Sequence, residues 1–238
     1  MDYRTLQKRL DKFLSDLNIG TRSQVKNFIQ KGMVTVNDVI VKKPEYKVCE
    51  NDIVSFQGQS LSCEEYAYYM LHKPTGIISA TEDKMHQTVL DYFKDEPCKN
   101  LYPVGRLDKD TEGLLLITND GDLGHRLLSP KHHIPKTYYV ELLKPVNCDA
   151  VIKLEEGIDI GEKRLTLPAK IQLITDKTLY ITITEGKFHQ IKRMFEAVDN
   201  KVQYLKRISM GELSLDDTLP IGQYRKLTTE EISYLKSL

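Results

Sequence analysis

Residues 105–121, with the sequence GRLDKDTEGLLLITNDG, carry the side chains of this chain that are best placed to do chemistry. Three alternating carboxylates belong to Asp108, Asp110 and Glu112. Such oxygen ligands suit a hard metal ion, but the glycine and glutamate positions of a calcium-binding loop are not matched. A metal or phosphate hydrolase could use Asp120 with the first two aspartates. The remaining alternative is a plain surface turn. Glycines at both ends of the charged cluster allow sharp backbone bends, and they would equally allow close approach of a substrate.

Two basic stretches further along the chain could grip phosphate groups without a basic average composition. The first comprises Arg126, Lys131, His132, His133 and Lys136. The second comprises Lys187, Lys192, Arg193, Lys201, Lys206 and Arg207. The two adjacent histidines could serve metal or acid–base chemistry, but neighbouring residues on a strand face opposite ways. Contact with an RNA backbone is therefore favoured for them.

The overall composition is that of an ordinary folded protein. Of the 238 residues, 40% are hydrophobic and 29% are charged, as in soluble globular domains. The 34 basic and 34 acidic side chains give a net charge of zero, whereas a nucleic-acid binder usually has a basic footprint. The first 60 residues nevertheless carry a small basic excess.

The sequence also predicts the compartment of the protein and the redox state of its cysteines. No apolar run reaches the roughly 20 residues of a membrane span, and the charged N-terminus has no apolar signal core. We therefore expect a cytoplasmic protein without membrane contact. The four cysteines form neither a CxxC pair nor a zinc-like spacing, so reduced thiols are expected.

The first 58 residues predict a small module of two helices followed by short strands. Apolar residues at helical spacing indicate a helix over 5–17. A second helix is capped by Thr21 or Ser23 and ends at Gly32. Alternating apolar residues predict strands over 33–38, 39–41 and 52–56. Both helices carry basic side chains that are either solvated or in contact with RNA, among them Lys12, Arg22 and Lys26.

Residues 59–65 are small and polar and predict a linker, and residues 66–238 predict an α+β domain. Asn119-Asp120-Gly121 is a strong signal for a tight turn. Because strands and helices follow one another without regular βαβ alternation, we expect a mixed, largely antiparallel sheet flanked by helices. Strands are predicted over 66–71, 114–118, 137–142, 169–173 and 179–184, and helices over 88–93, 122–128, 190–198 and 230–238.

The first module resembles the S4 domain, an RNA-binding family named for a ribosomal protein. The similarity covers roughly residues 7–55. It is carried by RLDKF at 9–13, TRSQV at 21–25 and GMVTVN at 32–37. The resemblance implies that the basic faces of the helices contact RNA.

The second domain resembles the RNA pseudouridine synthases of the RsuA branch. The run over 105–121 is similar to their catalytic motif, and the resemblance covers nearly the whole chain. Further similar segments lie at 69–76, 129–133, 136–140, 184–195 and 220–228. The resemblance implies an isomerase that breaks the N1–C1′ bond of a uridine, rotates the uracil and rejoins it through C5. Because no atoms are added, no cofactor or metal is expected.

The resemblance also implies roles for individual side chains. Asp108 would be the nucleophile, although the sequence does not distinguish attack on C1′ from attack on the base or formation of a glycal. Tyr138 would stack on the flipped base or assist removal of the C5 proton, or else be a core tyrosine. Lys192 would pair with Asp108, without the bidentate fork of the arginine in sister branches. Arg106, on the same side of a strand as Asp108, would fill the space left by the base, and Ile191 would pack against the uracil.

Outer contacts to the RNA are expected from basic side chains. Arg193 and His189 would contact substrate phosphate or be solvated. Backbone contacts are expected from Lys12, Arg22, Lys26, Lys131, His132 and Lys136.

Within the branch, the run over 129–138 is most similar to the enzyme that modifies uridine 516 of 16S rRNA during small-subunit assembly. The expected partner is therefore 16S rRNA in a ribonucleoprotein assembly intermediate, bound by a monomer. A large-subunit rRNA or tRNA substrate is one alternative. A non-catalytic RNA-binding assembly factor is another.

Overall fold

The computed structural model describes residues 8–17, 19–49, 52–61 and 66–238. These residues form two compact units, one of 8–61 with 95–99 and one of 66–94 with 100–238. Residues 95–99, predicted within the second domain, thus group with the first unit. In the described ranges, no helix is both long and apolar enough to cross a membrane.

The first unit combines two helices with short strands around one apolar core. Its helices are α1 (Leu10–Asp16) and α2 (Arg22–Gln30), and its strands are β1 (Lys8–Arg9), β2 (Val34–Val36), β3 (Val39–Ile40), β4 (Lys47–Val48), β5 (Val54–Phe56) and β6 (Gln59–Leu61). Strand β1 pairs with β4, and the others form a sheet in the order β3-β2-β5-β6. The helices and the sheet bury a shared set of side chains, including Leu10, Leu14, Val25, Ile29, Val34 and Val54.

Three details of this unit differ from or refine the predictions. Of the predicted helix over 5–17, residues 5–7 lie outside the described residues, and Lys8–Arg9 are extended because they pair with β4. Thr21 is the cap of α2, since its side chain accepts from the Gln24 backbone N–H, and the Gln24 side chain accepts from the Thr21 N–H. Residues 59–61 are not part of a linker, because they pair with β5.

The second unit is built on a nine-stranded sheet. Its strands are β7 (Tyr68–Lys73), β8 (Tyr102–Pro103), β9 (Glu112–Thr118), β10 (Lys136–Leu142), β11 (Lys170–Leu173), β12 (Thr178–Ile183), β13 (Val202–Met210), β14 (Leu213–Ser214) and β15 (Tyr224–Lys226). The main order is β11-β12-β10-β13-β9-β7-β15. Only the pair β9–β13 is parallel among the described strand pairs. The expected mixed, largely antiparallel sheet is confirmed.

Helices flank this sheet and cover its apolar face. They are α3 (Gly121–Leu128), α4 (Cys148–Glu156), α5 (Gln190–Glu196) and α6 (Thr229–Ser237), and two short 3₁₀ helices span Val89–Phe93 and Pro130–His132. Strand β9 lies inside the sheet, so four consecutive residues, 114–117, are fully buried. One face of the sheet packs against Leu123 and Leu127 of α3 and Leu235 of α6.

The predicted turn at Asn119-Asp120-Gly121 is the start of α3. The Asp120 carboxylate accepts from the Leu123 N–H at 3.0 Å and from the Tyr68 hydroxyl at 2.7 Å. A side-chain oxygen that caps a helix satisfies an otherwise unpaired N–H group. The chain therefore passes from β9 directly into the helix that was predicted over 122–128.

Strand β13 was absent from the predictions because lysine and arginine interrupt its apolar alternation. It lies between β10 and β9, with Arg207 opposite Tyr138 on one side and opposite Gly113 on the other. Only glycine suits position 113, where φ is +105° and a Cβ would lie 2.2 Å from the Arg207 carbonyl oxygen. The two strands can thus approach closely just beyond the loop that carries Asp108.

Candidate active site

A cavity of about 630 Å³ opens in the second unit beside the loop that leads into β9. Side chains from this loop, from β10, β12 and β13, and from α5 with the segment before it form its walls. Most of the predicted site residues line it together, namely Arg106, Asp108, Lys136, Tyr138, Ile191 and Lys192. The fold therefore gathers side chains that lie up to 86 positions apart in the sequence (192 − 106).

The loop that carries Asp108 is fixed from the sheet side by Lys73. This side chain is fully buried at the end of β7. Its ammonium group donates to the carbonyl oxygens of Pro74 at 3.0 Å, Asp108 at 3.1 Å and Thr111 at 2.9 Å. A buried cation shared by three carbonyl groups holds the turn after Asp108 in one conformation.

Residues 106–108 form a loop and not the strand on which Arg106 and Asp108 were expected to lie. Leu107 is buried, and the Ser79 hydroxyl accepts from its N–H at 3.0 Å and donates to its carbonyl at 2.9 Å. Arg106 and Asp108, on either side of this anchor, both line the cavity. Both side chains thus face the same cavity, as expected, although no strand pairing holds this segment.

Asp108 shares the ammonium group of Lys192 with a second carboxylate. Nζ of Lys192 lies 2.9 Å from Asp108 Oδ2 and 2.6 Å from Asp110 Oδ1. The Asp108 side chain is 27% exposed and lines the cavity, whereas that of Asp110 is 73% exposed and lies outside the lining. Nε2 of His189 lies 3.6 Å from Asp108 Oδ1. The Asp108 carboxylate in the cavity wall is therefore flanked by an ammonium group and an imidazole.

Two pKa shifts reflect this bridge. Burial alone would raise the pKa of Asp110, but the hydrogen bond and the charge of Lys192 lower it below its ordinary value. Burial alone would lower the pKa of Lys192, but its hydrogen bonds and attraction to both aspartates raise it. Lys192 is thus held as an ammonium group between two carboxylates.

Positive groups are also buried on the sheet side of the cavity. Arg207 is 2% exposed, and its Nε donates to the Leu114 carbonyl oxygen at 2.8 Å. Lys136 donates to the Ile134 carbonyl oxygen, and burial with repulsion from Arg207 lowers its pKa to about 8. Both side chains line the cavity, so its interior favours a ligand with negative or strongly electronegative groups.

One wall of the cavity is apolar and could hold a planar ring. Tyr138 is 8% exposed, and Ile191 and Leu205 are 4% and 5% exposed. Tyr138 and Leu205 come from neighbouring strands, and Ile191 comes from α5 beside Lys192. An aromatic ring with two aliphatic side chains offers a stacking surface next to the charged group at Asp108.

Arg193, which was expected to bind substrate, is not brought to the cavity. Its guanidinium donates to Glu162 at 2.9 Å, to the Phe188 carbonyl oxygen at 3.0 Å and to the Ile160 carbonyl oxygen. These bonds give Arg193 a structural role, because they fix the segment that leads into α5.

The other predicted RNA contacts lie on exposed surfaces. Lys131 and His132 are exposed on a 3₁₀ helix outside the cavity lining. Lys12, Arg22 and Lys26 are exposed on the helices of the first unit. All five side chains are accessible to a large polyanion.

Sequence reasoning missed the site roles of Lys73, Phe188 and Arg207. It expected His189 to contact phosphate or be solvated, whereas the structure places its imidazole beside Asp108. Lys73 belongs to a segment that was interpreted only as a strand end and turn, and Arg207 was assigned to a phosphate-binding surface. The signal for Arg207 was its position two residues after Leu205, on the same face of a strand, which indicates a buried charge once a strand is recognised.

The alternative three-carboxylate metal site is not assembled. Asp120 is 6% exposed and directs its carboxylate to α3 and Tyr68, away from the loop of Asp108. In the part of the chain that the structure describes, no three histidine, cysteine or acidic side chains are grouped as metal ligands would be. The hypothesis of a hydrolase built on these three aspartates was wrong.

Comparisons with known proteins identify the families of both units. The family model for RNA pseudouridylate synthase matches residues 67–197, and that for the S4 domain matches residues 8–54. The chain is 45% identical to the RNA pseudouridine synthase YtzG of Bacillus subtilis, over 95% of this chain and 98% of that one. It is 44% identical to the ribosomal small subunit pseudouridine synthase A of Vibrio cholerae, over 94% and 98% of the two chains.

A solved structure shares the fold over almost its whole length. A crystal structure of a pseudouridylate synthase, 41% identical, superposes with a TM-score of 0.69 and covers 95% of this chain and 99% of its own. The chain therefore belongs to the RNA pseudouridine synthase family and carries an S4 RNA-binding domain ahead of its catalytic domain. It is an isomerase that acts on RNA, and both resemblances seen in the sequence are confirmed.

Proposed function

We propose that this enzyme converts uridine 516 of 16S rRNA into pseudouridine during assembly of the small ribosomal subunit. The support is the 44% identity to a relative whose name specifies the ribosomal small subunit, over nearly the full length of both chains. We further propose a monomer that acts in the cytoplasm on a ribonucleoprotein. The observation that carries the assignment of the site is the Asp108–Lys192 ion pair inside a cavity with an apolar wall.

Asp108 is proposed as the nucleophile. Of the two carboxylates on Lys192, it is the one inside the cavity. A carboxylate is a suitable covalent catalyst because it splits one difficult displacement into two easier steps. In the overall reaction the N1–C1′ bond breaks and the C5–C1′ bond forms, while C5 loses a proton and N1 gains one. The chain adds and removes no atoms, and no cofactor is required.

The flipped uracil is proposed to lie against the apolar wall. Taking a base out of its stack costs a few kcal/mol, and stacking on an aromatic side chain recovers about 1–3 kcal/mol. Tyr138 supplies the ring, and Ile191 packs against the other side of the base. Arg106, exposed at the cavity edge beside Asp108, is proposed to occupy the space that the flipped nucleotide vacates.

Phosphate contacts are proposed to come from exposed cations. Lys12, Arg22 and Lys26 on the helices of the S4 domain would hold the RNA backbone, as would Lys131 and His132. Lys136, partly buried in the cavity wall, would contact the target nucleotide itself. Binding by such contacts weakens steeply with salt, because each neutralised phosphate releases counterions.

The test is a pseudouridine map of transcribed 16S and 23S rRNA, incubated with the enzyme, with and without small-subunit proteins. Asp108→Asn is the inactive variant. Asp110→Asn is the matched control, because it removes the other carboxylate on the same lysine. We expect one new pseudouridine, at position 516 of 16S rRNA, with wild type and Asp110→Asn only.

Other outcomes identify what is wrong. A new pseudouridine in 23S rRNA alone would overturn the 16S assignment. Equal loss of activity in both aspartate variants would overturn the choice of Asp108 over Asp110. Modification by Asp108→Asn at the wild-type rate would show that the carboxylate is not the nucleophile.

A further inference from the structure

Phe188 is a solvent-exposed aromatic side chain in the wall of the cavity. It is 74% exposed, more than any other large hydrophobic residue that lines the cavity. Leaving an aromatic ring in water forgoes the burial energy that its area would otherwise contribute. The position therefore calls for a ligand that covers the ring.

The ring is stacked on His189 and has one face left. The two ring centroids are 3.8 Å apart with an interplanar angle of 18°. His189 has its Nε2 3.6 Å from the Asp108 carboxylate. The two rings form a short stack that starts beside the proposed nucleophile and ends in solvent at Phe188.

The backbone under this stack is fixed. The Phe188 carbonyl oxygen accepts from Arg193, and the Lys187 N–H donates to the Gln190 side chain at 2.9 Å. The Gln190 amide in turn donates to Glu185 at 2.9 Å. His189 adopts a left-handed conformation, with φ at 49°. A ring on a constrained backbone loses little freedom when a ligand covers it, which favours binding.

We infer that the outer face of Phe188 is a second nucleobase site, which stacks an unpaired base next to the target uridine. The inference rests on the proposed binding of the target uridine at Asp108. The base on Phe188 is a neighbour and not the target, because His189 stands between that face and Asp108. Stacking reads a π-face, so this site takes any of the four bases. Two exposed cationic side chains at the same cavity, Arg106 and Lys109, suit the flanking phosphates.

The test compares three substitutions of Phe188 on the RNA fragment that the enzyme modifies. Phe188→Ala removes the ring, Phe188→Leu keeps an apolar side chain without a π-face, and Phe188→Trp enlarges the ring. We expect KM to rise roughly 5- to 150-fold for the first two, the range that one base–aromatic stack spans. We expect kcat to stay within about twofold, and Phe188→Trp to keep the wild-type KM.

A second measurement identifies the base. Two RNA fragments are compared, one with an abasic residue directly 5′ of the target uridine and one with it directly 3′. With wild-type enzyme, one of these two fragments should show a raised KM and the other should not. On the fragment with the raised KM, Phe188→Ala should add no further loss, because the stack is already absent. Leu173→Ala is the control, since Leu173 is 52% exposed and lies outside the cavity lining.

The chain contains no tryptophan, so Phe188→Trp also carries a single fluorescent reporter at the site. Titration with a single-stranded heptamer that has a central uridine should quench this fluorescence, and Leu173→Trp should not respond. A wild-type KM in Phe188→Ala, an equal effect of both abasic fragments, or a loss confined to kcat would overturn the inference. These results do not depend on which RNA is the natural substrate. If neither rRNA is modified, the 16S proposal fails, and the heptamer titration alone decides whether Phe188 stacks a base.

Discussion

Replacing Lys73 with methionine should disable the enzyme while leaving it folded. Methionine keeps the unbranched apolar stem of the side chain but removes the buried ammonium group. That group is the shared donor for the carbonyl oxygens of Pro74, Asp108 and Thr111. The variant therefore separates the position of the Asp108 loop from the stability of the sheet.

The effect on stability follows from opposing contributions. Asp108 O keeps the Thr111 N–H at 3.1 Å as a second donor, and Pro74 O is only partly buried and can bind water. Losing these two bonds costs about 1 kcal/mol each, and the more deeply buried bond to Thr111 O costs about 1–3 kcal/mol. Against this, burial of the ammonium group lowers the Lys73 pKa from 10.5 to about 8, which corresponds to about 3 kcal/mol of penalty that methionine removes. The net change should lie within about 2 kcal/mol.

The effect on catalysis has no such compensation. A misplacement of a reacting group by about 1 Å can lower the rate 100-fold. We expect Lys73→Met to lower kcat at least 100-fold, with Tm reduced by less than about 8 °C. The assays are single-turnover conversion of the RNA fragment and a thermal melt of the full chain. Lys153→Met, on the exposed face of α4 and outside the cavity lining, is the control for the lost charge. Activity of Lys73→Met within threefold of wild type would refute the positioning role.

Three further outcomes are expected. Gly113→Ala should destabilise the chain by more than about 4 kcal/mol, because its Cβ would meet a β13 carbonyl oxygen at 2.2 Å, whereas Gly186→Ala, with open space around it, should melt like wild type. Hydrogen bonds from Arg225 lower the Glu231 pKa, so this pair stabilises the fold above the ordinary glutamate range and the contribution is lost as the pH falls through the lowered pKa. Arg225→Gln should thus melt earlier than wild type at pH 7, and the difference in Tm should shrink as the pH falls below the ordinary glutamate range; a difference that does not change with pH would contradict the assignment. Removing residues 1–65 should weaken RNA binding and flatten its salt dependence without changing kcat at saturating RNA, and undiminished affinity would show that the S4 domain has no part in RNA capture.

The pairing of Asp108 with Lys192 was expected from the resemblance to a known family, and the structure contains that ion pair. Most of the sheet was predicted from local patterns. An apolar run such as that of β9 indicates a strand wherever it is buried on both faces. The two helices of the first unit likewise follow from apolar spacing and a capping box around Thr21.

Residues whose role depends on distant partners could not be predicted in this way. Lys73 is important because three carbonyl groups, up to 38 positions away in the chain, converge on it. Arg193 was predicted to contact phosphate because the sequence does not show that its guanidinium is hydrogen-bonded to Glu162 and to the Phe188 carbonyl oxygen. Asp120 looked like part of a turn because the sequence does not reveal that Tyr68 lies beside it. Such partners become visible only when strands from separate parts of the chain are placed side by side.

The position of β13 in the sheet also governs how the enzyme is made. This strand separates β9 from β10, yet it is synthesised after both, and Arg207 follows Asp108 by 99 positions (207 − 108). At about 5–20 residues per second, roughly 5–20 s pass between the two. During that interval β9 and β10 each lack the neighbour that covers one edge, and open edges favour aggregation. The first unit, which includes residues 95–99, is complete about 100 residues before β13 is synthesised. The RNA-binding domain of a nascent chain can therefore fold well before its catalytic domain is complete. A truncated chain released before residue 202 would keep the RNA-binding domain and would expose one edge each of β9 and β10.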